Sequence, residues 1–168
     1  MEQRSYGVLF LCTGNSARSI LAEALLNHLA GRDSRFRAYS AGSHPKGEVH
    51  PLAIETLQRH QIPIDGLRSK HWDEFARPDA PHFDFVITVC DRAAAEVCPL
   101  WPGHPMTTHW GLEDPAAVEG TLEDRTRAFN TTFRALDARL RLFMSLRVEA
   151  LDAPTLKRQL DDIGRTPR

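Results

Sequence analysis

The 168-residue chain has no apolar run approaching the roughly 18 residues of a membrane-spanning helix, which excludes a helical membrane span. It has almost no excess of charge. Its 21 Lys and Arg stand against 22 Asp and Glu, a net −1, so the usual electrostatic ground for a nucleic-acid or anionic-membrane partner is missing. Linkers, internal repeats and low-complexity tracts are absent, which leaves a single domain over residues 1–168 as the expectation. The N-terminal apolar stretch is too short for a signal peptide and runs into Cys12-Thr13-Gly14-Asn15 instead of a small-residue cleavage site, which predicts a cytoplasmic protein. Cysteine is scarce. Three residues, Cys12, Cys90 and Cys98, make an odd number that cannot be a closed disulfide framework, and in a reducing compartment they read as thiols with chemistry.

What is present is ordinary in amount, 42% hydrophobic and 26% charged, but ordered along the chain. Tyr6–Leu11 is a continuous apolar run without helical period, as in a fully buried strand. Ile20, Leu21, Ala24, Leu25 and Leu29 then mark one face of a helix ending near Gly31. Phe36–Ser40 reads as a second strand, Pro51 opens a helix, and Phe83–Val89 reads as a third strand ending at Cys90. A short helix is expected over Arg92–Val97 and a fourth strand over Met106–Trp110. Thr121 and Asp124 cap the longest helix, whose stripe of Phe129, Phe133, Leu136, Leu140 and Phe143 is core packing. Another amphipathic segment spans Pro154–Ile163. Strands alternating with helices predict a doubly wound, mostly parallel α/β sheet, which binds ligands outside the carboxyl ends of its strands. Cys12 and Cys90 both fall at such ends.

Cys12-Thr13-Gly14-Asn15-Ser16-Ala17-Arg18-Ser19 lies between a strand and a helix. A loop of this length lets successive N–H groups face one tetrahedral anion; the helix N-terminus adds its dipole and Arg18 a forked cation. Gly14 and Asn15 suit the unusual backbone angles of such a nest. The same positive field is expected to hold Cys12 as a thiolate, a nucleophile beneath the central atom of the bound oxyanion.

This loop resembles the signature of low-molecular-weight protein tyrosine phosphatases and of the arsenate reductases that share their fold. The likeness continues through Ser40-Ala41-Gly42, Thr88-Val89-Cys90 and Asp114-Pro115, in order, over about residues 6–145, leaving a C-terminal extension over 146–168. The resemblance implies a three-layer sandwich around a four-stranded parallel sheet of order 2-1-3-4. It makes Cys12 the nucleophile, Arg18 the oxyanion holder, Asn15 the loop brace and Ser19 a support for the thiolate. Asp114 becomes the general acid, with Glu113 as its neighbouring competitor.

Cys90 and Cys98 separate the two branches. A phosphatase, of phosphotyrosine or small molecules, hydrolyses its phospho-cysteine with water. A reductase needs a second thiol to release arsenite as a Cys12–Cys90 disulfide forms, and a third to carry it on as Cys90–Cys98. Thr88–Pro99 is similar to the redox segment of thioredoxin-coupled arsenate reductases, and Ala116-Ala117 stands where phosphatases of this fold place aromatic residues. Arsenate reduction is the expected activity, with arsenate or phosphate as the bound oxyanion and no tightly held cofactor. Seven residues separate Cys90 from Cys98, one more than in the familiar thioredoxin-coupled enzymes, and Ala17 replaces a further cysteine common there. The external reductant is therefore thioredoxin or glutathione with glutaredoxin. If 90–98 is helical its ends lie about 12 Å apart, so the final disulfide requires it to unwind. Asn15, Glu23, Ser40 and Asp73 match positions that bind potassium in some related reductases, but are read here as loop, helix-face, strand-end and cap residues. The extension covers a sheet face or forms a dimer contact, so both monomer and homodimer stay open.

Overall fold

The first strand, β1 (Tyr6–Leu11), is buried at every position, as its unbroken apolar run requires of a strand inside a sheet. The computed structural model describes residues 5–31, 35–91, 93 and 101–166. β1 pairs in parallel with β2 (Phe36–Ala41) on one side and β3 (Phe85–Thr88) on the other, and β3 pairs with β4 (Met106–His109). The order is β2-β1-β3-β4. The sheet order implied by the resemblance is the one observed, and it sets the carboxyl ends of β1 and β3 side by side.

Alternation along β1 divides the core into two layers. Val8 and Phe10 face the larger cluster, shared with α1 (Arg18–Ala30), α2 (Pro51–Arg59), α3 (Leu122–Met144) and α4 (Ala153–Gly164). Leu9 and Leu11 face a smaller one built from Trp72 and Phe75 of a 3-10 helix, with Phe83, Val86 and Trp101. α1 turns at Gly31, which takes a positive φ of 60°. α3 begins with a reciprocal cap: Asp124 N–H donates to Thr121 Oγ1 and Thr121 N–H to Asp124 Oδ2, each at 3.1 Å. All five residues of its predicted apolar stripe are buried, each contributing roughly 1.5–3 kcal/mol of burial.

The third strand is shorter than Phe83–Val89. Asp84, just before it, still bonds the neighbouring strands: its N–H donates to Gly7 carbonyl, its carbonyl accepts the Met106 N–H, and its carboxylate accepts the Gly7 N–H at 3.0 Å. The predicted helix over Arg92–Val97 lies, apart from Ala93, outside the described residues. The extension belongs to the core: Trp110 Nε1–H donates to Leu160 carbonyl at 3.0 Å and Thr108 hydroxyl to Asp161 at 2.6 Å, which seats α4 against the β4 end of the sheet. No helix among the described residues is long and apolar enough to cross a membrane.

Candidate active site

Cys12 follows β1 directly and is buried. The loop from Cys12 to Arg18 lines a cavity of about 380 Å³ together with His44, Lys46, Cys90 and Asp114. Three carbonyls of this loop are held from outside. His44 N–H donates to Thr13 carbonyl, Lys46 N–H to Gly14 carbonyl and His50 N–H to Ser16 carbonyl, at 2.9–3.0 Å. Those carbonyls are satisfied away from the cavity, the arrangement of an anion nest, while the Thr13 N–H is given to the Cys90 sulfur and the Gly14 N–H to that of Cys12. α1 adds its first-turn N–H groups, because its N-cap, Ala17, has no side chain that can accept from them. The positions 44–50 were not legible as site residues, since bonds given by backbone amides leave no side-chain signature.

Asn15 takes a φ of 43° and is fully buried. Its amide donates to Ser19 Oγ at 2.8 Å and Ser40 Oγ at 3.0 Å, and its carbonyl oxygen accepts the Lys70 N–H at 2.9 Å. This brings Asn15, Ser19 and Ser40 together, and Ser40 in turn donates to Glu23 at 2.5 Å. Asp73 does not join them: its carboxylate is exposed and faces His71 at 3.4 Å. Gly42 is required by packing, since a Cβ there would lie 2.4 and 2.5 Å from the carbonyl oxygens of Thr13 and Cys12.

Arg18 donates to Leu112 carbonyl at 2.8 Å and faces Asp114 at 3.6 Å, while its buried Nε–H has no partner among the described residues. A bound oxyanion would satisfy that donor. Asp114 caps the short helix Pro115–Ala117 by accepting the Ala116 N–H at 3.0 Å, which leaves its second oxygen toward Arg18. Glu113 is exposed and lines a different, smaller hollow, so Asp114 is the carboxylate at the loop.

Cys90 follows β3 and meets the loop from the side. Its sulfur accepts the Thr13 N–H and the Ala93 N–H, both at 3.4 Å, and lies 3.7 Å from the Thr13 hydroxyl. Donation to Cys90, together with burial, holds the Cys12 thiol above its ordinary range, although Arg18 pulls the other way. Cys90 is brought down to about 5, first by that hydrogen bond from Cys12 and then by the Ala93 and Thr13 donors, against its own burial. Within the pair, the bonds to Cys90 draw negative charge toward its sulfur, while Arg18 and the Gly14 N–H draw it toward Cys12, where the sequence leads one to expect the thiolate. Cys98 lies outside the described residues.

A parallel 2-1-3-4 sheet with a Cys-x5-Arg anion loop between its first strand and first helix defines a phosphatase-like class, and residues 7–159 match the low molecular weight phosphotyrosine protein phosphatase family, to which the chain belongs. Within it, the chain is 37% identical over 138 residues to an arsenate reductase of Shouchella clausii, covering 81% of this chain and 93% of that protein. A thioredoxin-dependent arsenate reductase of Corynebacterium glutamicum is 29% identical with a TM-score of 0.54, over 85% of this chain and 65% of that one. The low molecular weight protein tyrosine phosphatase of T. tengcongensis, at 23% identity and TM-score 0.68 over 84% of this chain and all of that one, shares the fold.

Proposed function

We propose that the protein reduces arsenate to arsenite by a cysteine relay. The observation that carries this reading is the second thiol at the anion loop: Cys90 lines the same cavity as Cys12, and its sulfur accepts from Thr13, the next residue along. A phosphatase has no use for it. Arsenate binds in the loop against Arg18 and backbone N–H groups at the start of α1, and Cys12 attacks arsenic in line. An arsenic–oxygen bond breaks, and the oxygen leaves as water with the Cys12 thiol proton and a second proton from Asp114. The Cys90 thiolate then attacks the Cys12 sulfur. The sulfur–arsenic bond breaks, its electron pair stays on arsenic as arsenite, and a Cys12–Cys90 disulfide forms.

Cys98 attacks at Cys90, restores Cys12 and leaves Cys90–Cys98 for an external dithiol to reduce. Thioredoxin is the reductant we infer, on the likeness to the thioredoxin-dependent relative, with glutathione and glutaredoxin as the competing system. Such a relay works in a reducing cytoplasm.

The test is arsenate turnover with a thiol reductant in wild type, Cys12→Ser, Cys90→Ser and Cys98→Ser. Cys12→Ser abolishes turnover, and both resolving variants fall by orders of magnitude under multiple-turnover conditions. If Cys90→Ser and Cys98→Ser match wild type, and only phosphate-ester hydrolysis is substantial, the relay is wrong and the hydrolytic branch is right.

A further inference from the structure

Beneath the anion loop sits a carboxylate, a charge opposed to anion binding. Glu23 points from α1 into the layer under Asn15, its side chain only 14% exposed, and accepts the Ser40 hydroxyl proton at 2.5 Å. Ser40 Oγ accepts from Asn15, which holds the loop at its positive φ. A negative charge in this place repels an oxyanion in the loop above and needs a counter-charge. Lys70 supplies one. Its side chain is 7% exposed; its ammonium donates to Ser40 carbonyl at 2.8 Å and faces Glu23 at 3.8 Å, while its backbone N–H donates to Asn15. The preceding residue adds to the hold, since Ser69 hydroxyl donates to Gly14 carbonyl at 3.3 Å.

A potassium ion bound by Asn15, Glu23, Ser40 and Asp73 does not fit these residues. Three of them converge, but the Asp73 carboxylate stands in solvent against His71, and the Lys70 ammonium already occupies the cationic place beside Glu23 and Ser40 carbonyl. A second monovalent cation there would meet like charge at contact distance.

We propose that Lys70 is the resident cation of the anion loop: a positioning residue whose ammonium cancels Glu23, fixes Ser40 and Asn15, and makes oxyanion binding independent of dissolved monovalent cations. Burial opposes the charge on both partners, and each favours the ionised form of the other. The inference goes beyond the proposed reaction and needs only that the loop binds a tetrahedral anion.

Calorimetric binding of inorganic phosphate tests it without turnover, in buffers of constant ionic strength in which choline is exchanged for potassium. Wild type binds phosphate equally in both. Lys70→Ala, which opens a space beside Glu23, loses about tenfold in affinity in choline and regains several-fold in potassium. Lys70→Met, which fills the space without charge, loses as much and regains nothing. A several-fold potassium effect on wild type overturns the proposal, as does a Lys70→Ala protein that matches wild type in choline or stays weak in potassium. Should Lys70→Ala not fold, the wild-type and Lys70→Met measurements decide in the same way. Phosphate binding is read apart from catalysis, so a wild-type protein inactive on arsenate would remove the relay and leave this result standing.

Discussion

The sulfur of Cys90 accepts the backbone N–H of Thr13 at 3.4 Å, although 77 positions separate them, because β1 and β3 are neighbours and both residues lie just past their strands. The sheet order thus delivers a second thiol to the first without any local motif. That adjacency has a consequence in acid–base chemistry.

Hydrogen bonding from Cys12, before the Ala93 and Thr13 donors, holds Cys90 at about 5, well below the ordinary thiol value of 9.0. Thiolate ultraviolet absorbance followed against pH therefore shows a step near 5 that Cys90→Ser abolishes. Cys12→Ala moves the step upward, since it removes the donor that is the largest cause of the lowering. The stability sign follows. A folded-state pKa lowered from 9.0 to about 5 gives stabilisation that is complete above 9 and is lost as pH falls through about 5. Denaturant unfolding of Cys90→Ser is accordingly less pH-dependent across that window than wild type. An unchanged absorbance step in Cys90→Ser would assign the low value to another thiol.

Gly42 and Gly7 offer a matched pair of tight glycines with different consequences. A Cβ at Gly42 strikes the carbonyl oxygens of Thr13 and Cys12 at 2.4–2.5 Å; one at Gly7 strikes the His82 carbonyl oxygen at 2.1 Å, away from the loop. Both alanine variants are destabilised by roughly 1–3 kcal/mol in denaturant titrations, the usual cost of overpacking. Gly42→Ala also loses phosphate affinity by tenfold or more, as its clash displaces the two residues that open the cradle. Gly7→Ala retains it. Equal phosphate affinity in the two variants would contradict the part given to Gly42.

The C-terminal helix behaves as core and not as an appendage. Leu160 is fully buried, and its carbonyl accepts the Trp110 indole proton from the residue after β4. Leu160→Ala costs roughly 2–5 kcal/mol in equilibrium unfolding. Removing residues 147–168 exposes Trp110, Leu140 and Phe143 together and lowers the midpoint further. A truncated chain as stable as the full one would show that α4 only rests on the surface.

The sequence made some of this visible and concealed the rest for identifiable reasons. The unbroken run Tyr6–Leu11, the Thr121–Asp124 cap and the Phe129–Phe143 stripe are local patterns, and each appears in the structure where its period places it. The Cys12–Arg18 loop was legible because glycine, asparagine and arginine each have a distinct task there. Lys70 was not, because a lysine between Ser69 and His71 looks like surface until β2 and α1 close over it. The amides of His44, Lys46 and His50 donate from the backbone, which any residue except proline does. The setting of Cys12 was legible only in part: the donors around it lie in the loop itself, whereas Cys90, which shares its proton, arrives from another strand.

Oxidation gives a final expectation. A Cys90–Cys98 disulfide needs Cα atoms within about 7 Å, against roughly 12 Å for two residues eight apart in a helix. Cys90 must also give up its bonds from Thr13 and Ala93 to turn outward. Asp91 next to it is held by His109 Nε2 at 2.8 Å, and His109 Nδ1 in turn meets the Thr88 hydroxyl at 2.7 Å, so the strand end itself stays anchored while the chain beyond is released. Amide hydrogen exchange compared between reduced protein and protein locked as Cys90–Cys98 in a Cys12→Ser background therefore speeds up for Thr13 and for residues 91–98, and stays slow in β3. Equal protection of residues 91–98 in the two states would overturn the expectation of a helix there that must unwind for the disulfide to form.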